Sequence, residues 1–217
     1  MPYSLVVFDW DGTLMDSTHS IVAAIQAACR DLELPVPSAS QASWVIGLSL
    51  ESALRRAVPD LTNAMLPRFL ERYRVHYLLR DPELKLFDGV REMLAALAAR
   101  DVRLAVATGK SRVGLNRALA ASGLVDAFAA TRCADETFSK PNPTMLYELM
   151  DELQVAPDRV VMIGDTSHDL QMAANAGVHG VAVTYGAHTR QELEAVGPQA
   201  VVESVPGLHE WLMERVG

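Results

Sequence analysis

The chain has 217 residues, half of which are hydrophobic, and a formal net charge of −8 at pH 7. This length and composition are sufficient for a substantial buried core in one or two domains. The acidic balance, together with the lack of a long basic run, argues against nucleic acid and against an anionic membrane surface as the main partner. We therefore expect a small-molecule partner.

The spacing of the cysteines and the lack of targeting signals bear on the cellular compartment in which the protein is expected. Cys29 and Cys133 have no paired spacing, so neither a disulfide framework nor a zinc motif is expected. The sequence contains no apolar run of transmembrane length and no N-terminal signal with a cleavage site. We expect a protein of the reducing cytoplasm, with no membrane partner.

The first predicted elements are one strand and a group of helices. An apolar strand over residues 3–9 is followed by helical stretches at residues 19–33, 39–46, 50–58 and 62–79. Turn and breaker residues separate or end these helices: Gly47-Leu48-Ser49, Pro59-Asp60, Asp81-Pro82 and Asp88-Gly89. Roughly seventy residues are therefore all helical, a size that suits a small bundle.

From Val90 onward the predicted pattern alternates helix and strand. Helices are expected at residues 90–100, 112–122, 144–154, 169–176 and about 208–215. Strands are expected at residues 103–107, about 127–131, 160–163, 181–184 and 200–203. This alternation predicts an α/β fold with a Rossmann-like parallel sheet covered on both faces. We assign residues 1–16 and 86–217 to this core and residues 17–85 to an inserted helical domain.

The octapeptide Asp9-Trp10-Asp11-Gly12-Thr13-Leu14-Met15-Asp16 leaves the first strand and carries the strongest chemical signal. Side chains alternate along a strand, so Asp9 and Asp11 leave it on the same side. Two carboxylates held that close repel each other unless a cation lies between them, and Mg²⁺ would meet that need. Gly12 permits a sharp turn, and the Thr13 hydroxyl can help to hold an anion or the acidic loop.

Polar side chains also follow three later strands. Thr108-Gly109-Lys110-Ser111 offers a hydroxyl and successive backbone amides that can grip phosphoryl oxygens at a helix start. Lys140 precedes a helix that begins with proline, and its ammonium is expected to reach inward. Asp165 and Asp169 follow another apolar strand and offer oxygen ligands that suit Mg²⁺. Because ligands bind beyond the carboxyl ends of parallel strands, we expect these groups to form one site.

The histidines are not expected to bind a metal. His168 lies between the two later acids, but the surrounding ligands are all oxygen, and we expect His168 to be an exposed loop residue. The other histidines are scattered, with no arrangement that indicates zinc.

The motifs together resemble a known family. DxDGT, a strand-end Thr, Lys-Pro and GDxxxD occur in this order over essentially the whole chain, and they closely resemble the haloacid dehalogenase-like hydrolase superfamily. The helical insert is similar to the mobile cap of the subgroup that contains phosphoglycolate phosphatase. The sequence DGTLMDS at its hinge agrees with that subgroup.

The resemblance implies a Mg²⁺-dependent phosphatase that hydrolyses small-molecule phosphate monoesters through an aspartyl-phosphate. Asp9 would be the nucleophile, and Asp11 would be the general acid and base. Thr108, Gly109 and Lys140 would bind the transferring phosphoryl group.

The resemblance also implies a metal site. The carboxylates of Asp9 and Asp165 and the main-chain carbonyl of Asp11 would bind Mg²⁺. Asp169 would orient Lys140 or a metal-bound water.

Two positions depart from the family pattern. Trp10 stands where relatives often have an aliphatic residue, and Gly109 stands where many have Asn. Neither change removes a charged catalytic group, so both bear on loop shape and substrate choice more than on reaction type.

Other reactions remain open at this stage. Asp11 argues against a dehalogenase, which has no alcohol leaving group to protonate. A sugar phosphomutase shares the aspartyl-phosphate chemistry, and pyrophosphatase and nucleotidase activities are also open alternatives. The non-enzymatic alternative is a receiver-like phospho-Asp switch, but the acidic pair after the first strand and the helical insert argue against it.

The insert raises further expectations. Residues 16–18 and 86–89 are the two hinge connections, and the turn Gly47-Leu48-Ser49 either dips toward substrate or only connects helices. Arginines make the insert locally basic, and one of them could bind a second anionic group such as the carboxylate of phosphoglycolate, although most are expected to face water. The expected assembly is a monomer or a homodimer, and the physiological substrate is left open.

Overall fold

A computed structural model describes residues 2–80 and 84–217 of the chain. Its strands are β1 (Leu5–Phe8), β2 (Met15–Asp16), β3 (Lys85–Leu86), β4 (Arg103–Thr108), β5 (Ala130–Cys133), β6 (Val160–Gly164), β7 (His179–Val183) and β8 (Ala200–Val202). Its helices are α1 (Thr18–Asp31), α2 (Ala39–Trp44), α3 (Leu50–Ala57), α4 (Leu66–Arg80), α5 (Val90–Ala98), α6 (Arg112–Ser122), α7 (Thr144–Leu153), α8 (Ser167–Ala176), α9 (Arg190–Glu194) and α10 (Val205–Met213).

The core is a parallel sheet with strand order β5-β4-β1-β6-β7-β8. Alternate residues of each strand face opposite sides, so an apolar strand needs helices on both faces. Val6 and Phe8 of β1 pack with α5, α6 and α10, whereas Leu5 and Val7 pack with α7 and α8. The predicted α/β fold with a covered parallel sheet is confirmed.

The register of the central strands determines which loops meet. Phe8, the last residue of β1, lies beside Val106 of β4 and Ile163 of β6. All three strands run in the same direction, so their carboxyl ends reach one edge of the sheet together. The loops that follow β1, β4 and β6 are therefore neighbours in space.

Helices α1 to α4 form a separate helical layer with its own apolar core. Ile25, Leu54 and Phe69 are fully or almost fully buried in this cluster. The two connections to the α/β core pair with each other as the antiparallel ribbon β2–β3, in which Met15 lies opposite Leu86. The sequence analysis did not predict this ribbon, because two-residue strands carry no periodicity.

The observed elements differ from the predicted ones mainly at their ends. The fourth helix begins at Leu66 instead of residue 62, since Pro67 lacks an N–H and suits the first turn of a helix. The last helix begins at Val205 because the Ser204 side chain caps it. Helix α9, which a Thr189 capping box begins, was not predicted. The predicted break at Asp81-Pro82 lies outside the described residues.

Among the described residues, no helix combines the length and the apolar character needed to cross a membrane.

Candidate active site

The ends of three adjacent strands bring the predicted polar residues together. Asp9 follows β1, Thr108 ends β4 and Asp165 follows β6. All three side chains are buried, although each is polar or charged. Buried polar groups are unfavourable unless other groups satisfy them, so this edge of the sheet is either a functional site or a network that neutralises itself.

Lys140 joins two of the acids. Its Nζ lies 2.7 Å from Asp9 Oδ1 and 2.6 Å from Asp169 Oδ1, and all three side chains are almost completely buried. Burial alone would lower the pKa of Lys140, but the Asp169 and Asp9 carboxylates outweigh burial and raise it. The ammonium therefore stays charged beside the predicted nucleophile, and the prediction that Lys140 reaches inward is confirmed.

The remaining acidic charge calls for a further cation. Oxygens of Asp9, Asp165 and Asp169 lie within 4.8 Å of one another. Burial raises the pKa of Asp9 to about 7, with Lys140 opposing the shift and the Asp169 and Asp11 carboxylates adding to it. Burial, together with the Asp9 and Asp169 carboxylates, also raises the pKa of Asp165 well above its usual range. One ammonium does not balance three buried carboxylates.

Two further observations fit a divalent cation. Asp9 Oδ2 is buried and has no hydrogen-bond partner within the described part of the chain. Asp165 is held in place, since its Oδ1 accepts from the Thr13 hydroxyl at 2.8 Å and its Oδ2 accepts from the Ala187 amide at 2.7 Å. Fixed, buried carboxylate oxygens are the ligands that Mg²⁺ prefers. The residues present therefore fit a magnesium ion.

Asp11 lies at the same edge but has different partners. The Ser17 hydroxyl donates to Asp11 Oδ1 at 2.6 Å. The Lys110 ammonium donates to both carboxylate oxygens, each at 2.8 Å, and also to the Tyr77 hydroxyl at 3.0 Å. Burial alone would lower the pKa of Lys110, but Asp11 and Tyr77 outweigh burial and raise it.

The contacts of Lys110 with Asp11 and with Tyr77 were not predicted from the sequence. Lys110 belongs to the loop that the sequence predicts to bind phosphoryl oxygens, but the sequence predicts no separate role for its ammonium. Its position was a usable signal, because Thr108 and Lys110 are two residues apart at a strand end and can face the same side. Tyr77 lies on helix α4 and had no such signal, since only the fold brings it to this lysine.

At Gly109 and Gly12, the absence of a side chain allows other parts of the protein to approach the main chain closely. A Cβ at Gly109 would lie 2.6 Å from the carbonyl oxygen of Gly47 and 2.5 Å from that of Leu48. The turn Gly47-Leu48-Ser49 thus packs directly on the strand-end loop, and there is no room for a side chain at position 109, including the Asn that the family pattern leads us to expect. Gly12 has φ +82°, and a Cβ there would collide with the Asp165 carboxylate.

The prediction that His168 is an exposed loop residue is wrong. His168 lies in the first turn of α8, its side chain is buried, and burial lowers its pKa. The Nε2 atoms of His168 and His188 lie 3.0 Å and 2.9 Å from the main-chain oxygen of Trp44. The helix begins two residues earlier than predicted because Thr166 and Asp169 form a capping box, and this places His168 against α2.

Other side chains singled out in the sequence lie outside the acidic cluster. Trp10 is fully buried and packs against Phe128, on the side of the loop that faces the hydrophobic core. Arg55 pairs with Glu51, and Arg72 pairs with Asp31, both in exposed positions on the helical layer. These two arginines are satisfied by neighbouring acids.

The fold and the site together define a protein with a parallel α/β core, an acidic cluster at the strand ends and a helical layer packed against that edge. The family model described as "Haloacid dehalogenase-like hydrolase" matches residues 6–183, and the chain belongs to this family. Members of this family generally use Mg²⁺, in agreement with the acidic cluster.

Individual relatives cover nearly the full chain. "Probable phosphatase IndB" of Dickeya dadantii is 37% identical over 206 residues, which are 92% of this chain and 89% of that protein. "Phosphoglycolate phosphatase" of Pectobacterium atrosepticum is 32% identical over 204 residues, which are 91% of this chain and 87% of that protein. The crystal structure of a predicted phosphoglycolate phosphatase from Haemophilus somnus has a TM-score of 0.86 and 25% identity, and the match covers 96% and 97% of the two chains.

Proposed function

We propose that this protein is a Mg²⁺-dependent phosphatase that hydrolyses small-molecule phosphate monoesters, with a substrate like that of the relatives named phosphoglycolate phosphatase. The observation that carries the proposal is the position of Asp9. Its carboxylate is buried, its Oδ1 is ion-paired with the Lys140 ammonium, and its Oδ2 has neither an ion pair nor a hydrogen bond among the described residues. A carboxylate of this kind, beside Thr108 and a second acid, is equipped for nucleophilic catalysis.

The proposed metal ligands are the carboxylates of Asp9 and Asp165 and the main-chain carbonyl of Asp11. Bound there, Mg²⁺ would supply positive charge that offsets the repulsion between a carboxylate and a phosphate dianion. The Thr13 hydroxyl and the Ala187 amide support this role because they orient the Asp165 carboxylate.

Asp9 attacks phosphorus, and the P–O bond to the alcohol breaks as the Asp9–phosphoryl bond forms. Lys140, Thr108 and the main-chain amide of Gly109 hold the phosphoryl oxygens in the position for attack. Asp169 keeps the Lys140 ammonium in place through the contact at 2.6 Å. Water then attacks the aspartyl-phosphate and releases inorganic phosphate.

Asp11 transfers the protons of both steps. It gives a proton to the departing alcohol oxygen and later takes one from the attacking water, a role typically worth about 10²–10⁴-fold in rate. The Ser17 hydroxyl orients the carboxylate through its hydrogen bond of 2.6 Å.

We propose that residues 17–85 form a cap that closes over the site during the first step and opens for product release. The ribbon β2–β3 joins both connections and would act as the hinge. The contact of the turn Gly47-Leu48-Ser49 with Gly109 supports a position for this turn close to bound substrate.

A panel of phosphate esters tests the proposal. Wild type, Asp9→Asn and the exposed control Asp126→Asn are assayed with Mg²⁺ on phosphoglycolate, sugar phosphates, nucleotides, pyrophosphate and p-nitrophenyl phosphate. We expect wild type and the control to release phosphate continuously and Asp9→Asn to lose about four orders of magnitude in rate. An undiminished rate in Asp9→Asn would exclude Asp9 as the nucleophile.

The same panel separates the alternatives. A phosphomutase would transfer most of the phosphoryl groups to a second sugar hydroxyl instead of to water, so a sugar phosphate would be isomerised with little release of phosphate. A pyrophosphatase or a nucleotidase would prefer its own substrate over the small esters. A receiver-like switch would take up one phosphoryl group and then stop.

A further inference from the structure

The loop Gly186-Ala187-His188, in the segment after strand β7, lies directly against Asp165. The Ala187 amide donates to Asp165 Oδ2 at 2.7 Å, and the His188 amide donates to the main-chain oxygen of Asp165 at 3.3 Å. A Cβ at Gly186 would lie 2.2 Å from Asp165 Oδ2, so this close approach requires a residue without a side chain. The loop therefore fixes one oxygen of a proposed metal ligand.

The same loop is held from its other side by the end of helix α2 in the helical layer. The Ser43 hydroxyl donates to the Ala187 carbonyl oxygen at 2.8 Å. Ala187 is partly buried and packs against the apolar core of the helical layer. A single residue thus bonds to the helical layer through its carbonyl group and to Asp165 through its amide.

A second contact joins His188 to the next residue of α2. The Ser167 amide donates to His188 Nδ1 at 3.0 Å, so the ring proton of neutral His188 lies on Nε2. That Nε2–H donates to the main-chain oxygen of Trp44 at 2.9 Å, and the two rings stack with their centres 5.8 Å apart. Because both contacts reach the same end of α2, a movement of the helical layer would displace the loop.

Asp165 therefore has one restraint that depends on the helical layer and one that does not. The Thr13 hydroxyl, which donates to Asp165 Oδ1 at 2.8 Å, belongs to the loop after β1. The Ala187 amide restrains Oδ2, and its own position depends on the contact with Ser43. Loss of a group that orients a metal ligand typically weakens metal binding by about 10- to 100-fold. A group that acts one bond farther out should have a smaller effect.

We propose that Ser43 and His188 are positioning residues that make the affinity of the protein for Mg²⁺ depend on docking of the helical layer. They act on Asp165 through the loop Gly186-Ala187-His188. This inference rests on the proposed Mg²⁺ site and concerns how that site is held. The coupling is reciprocal, so docking strengthens Mg²⁺ binding and bound Mg²⁺ strengthens docking by the same factor. The protein then holds its metal most tightly when the cap is closed.

The Mg²⁺ affinity of the folded protein tests this coupling without any substrate. Isothermal titration calorimetry gives the Kd of Mg²⁺ for wild type, Ser43→Ala and the matched control Ser40→Ala, which makes the same change at an exposed serine of α2. We expect Ser43→Ala to raise Kd by about two- to tenfold, as for one hydrogen bond, and Ser40→Ala to leave it unchanged. Equal Kd values for Ser43→Ala and wild type would overturn the proposal.

Conservative variants separate positioning from a general loss of packing. Ser43→Thr keeps the hydroxyl, and His188→Gln keeps a side-chain N–H for the Trp44 carbonyl. Each should bind Mg²⁺ more tightly than the alanine variant at the same position. If threonine and alanine at position 43 raise Kd by the same factor, the hydroxyl has no positioning role and the proposal is wrong. The serine pair decides the matter even where His188→Ala fails to fold.

Hydrogen exchange at helix α2 tests the reciprocal effect. In wild type, saturating Mg²⁺ should slow exchange of the α2 amides, and in Ser43→Ala it should slow them less. Exchange at α2 that does not respond to bound Mg²⁺ would overturn the coupling while leaving the metal site intact. A wild-type protein that binds no Mg²⁺ would be a different result, since it would overturn the proposed metal site and this inference with it.

Discussion

Lys140, which is buried, and Lys110, which is partly buried, are both cations at the carboxyl edge of the sheet, but the groups around them belong to different parts of the molecule. Lys140 contacts Asp9 and Asp169, and all three residues belong to the α/β core. Lys110 contacts Asp11 of the core and Tyr77 of helix α4 in the inserted layer. The first set of contacts is complete within the α/β core, whereas the second set depends on how the core and the helical layer pack against each other.

We infer from this difference that the two sets of residues have different functions. Groups that hold the phosphoryl unit need a constant geometry, which side chains on a sheet edge provide. Groups that recognise the rest of the substrate can lie at the boundary between the layers, where the proposed closure of the cap would complete the binding site. Changes at Lys140 should therefore affect every substrate, and changes at the boundary should affect substrates selectively.

The largest expected effect is that of Lys140→Met. Loss of the ammonium leaves the Asp9 and Asp169 carboxylates buried without their cation, so we expect a loss of about 3–5 kcal/mol in the free energy of unfolding of the metal-free protein. We also expect kcat to fall by about 10²–10³-fold on every ester. Urea unfolding and steady-state assays measure the two effects, with Arg68→Met, which removes an exposed cation of helix α4, as the control. Selective loss on one substrate would contradict the division between the two lysines.

The acidic cluster should also make the stability of the metal-free protein depend on pH. Burial raises the pKa of Asp9 to about 7, above its unfolded value, so the folded protein holds this proton more tightly. The resulting stabilisation is present at low pH and is lost as pH rises through about 7. The free energy of unfolding in the presence of a chelator should therefore fall between about pH 5 and about pH 7.5.

Asp9→Asn isolates that contribution. The variant should lose less stability than wild type over the same pH interval, and Mg²⁺ should stabilise wild type at the upper pH by binding the folded form. Urea unfolding curves at several pH values, with and without Mg²⁺, supply the comparison. Identical pH dependence in wild type and variant would show that Asp9 does not carry the raised pKa.

The smallest expected effect concerns the contact between the layers. Gly109→Ala places a Cβ 2.5 Å from the Leu48 carbonyl oxygen, so the turn Gly47-Leu48-Ser49 has to move away. We expect closure to become less favourable by about 1–3 kcal/mol and kcat/KM to fall by about tenfold.

Gly114→Ala is the control for this change. Gly114 lies in helix α6, where the added methyl group meets the Ser111 hydroxyl oxygen at 3.3 Å and the Lys110 Cβ at 4.0 Å, and no backbone atom is as close as at Gly109. Its effect on stability should stay within about 1 kcal/mol, with kcat/KM unchanged. A Gly109→Ala protein with normal kinetics would mean that the contact between the turn and Gly109 has no part in turnover.

Much of the fold and of the acidic cluster could be predicted because the signals are local. Apolar strands that alternate with helices predicted the covered parallel sheet, and the acids at strand ends predicted where side chains would meet. Asp9, Thr108 and Asp165 reached one edge because their strands are parallel and adjacent. The short ribbon β2–β3 and helix α9 escaped prediction, as segments of two to five residues carry little periodicity.

The boundary between the layers could not be predicted in the same way. His168 looked like an exposed residue between two acids, and its burial follows from a helix start that sets it against Trp44 of another layer. Lys110 and Tyr77 are 33 residues apart, and nothing in their local sequence links them. The number of arginines in the insert suggested that one of them binds an anion, yet the cation that lies beside Asp11 is Lys110 of the α/β core.

The sequence by itself determined the layered α/β core, the acids at its strand ends and the lysine that serves them, since strand periodicity and parallel order are properties of short segments. Only the tertiary structure decided which groups surround Asp11, why position 109 has no side chain and where His168 lies. Those features arise where the helical layer meets the sheet edge. The contacts there depend on the packing of residues distant in sequence, which no local pattern encodes.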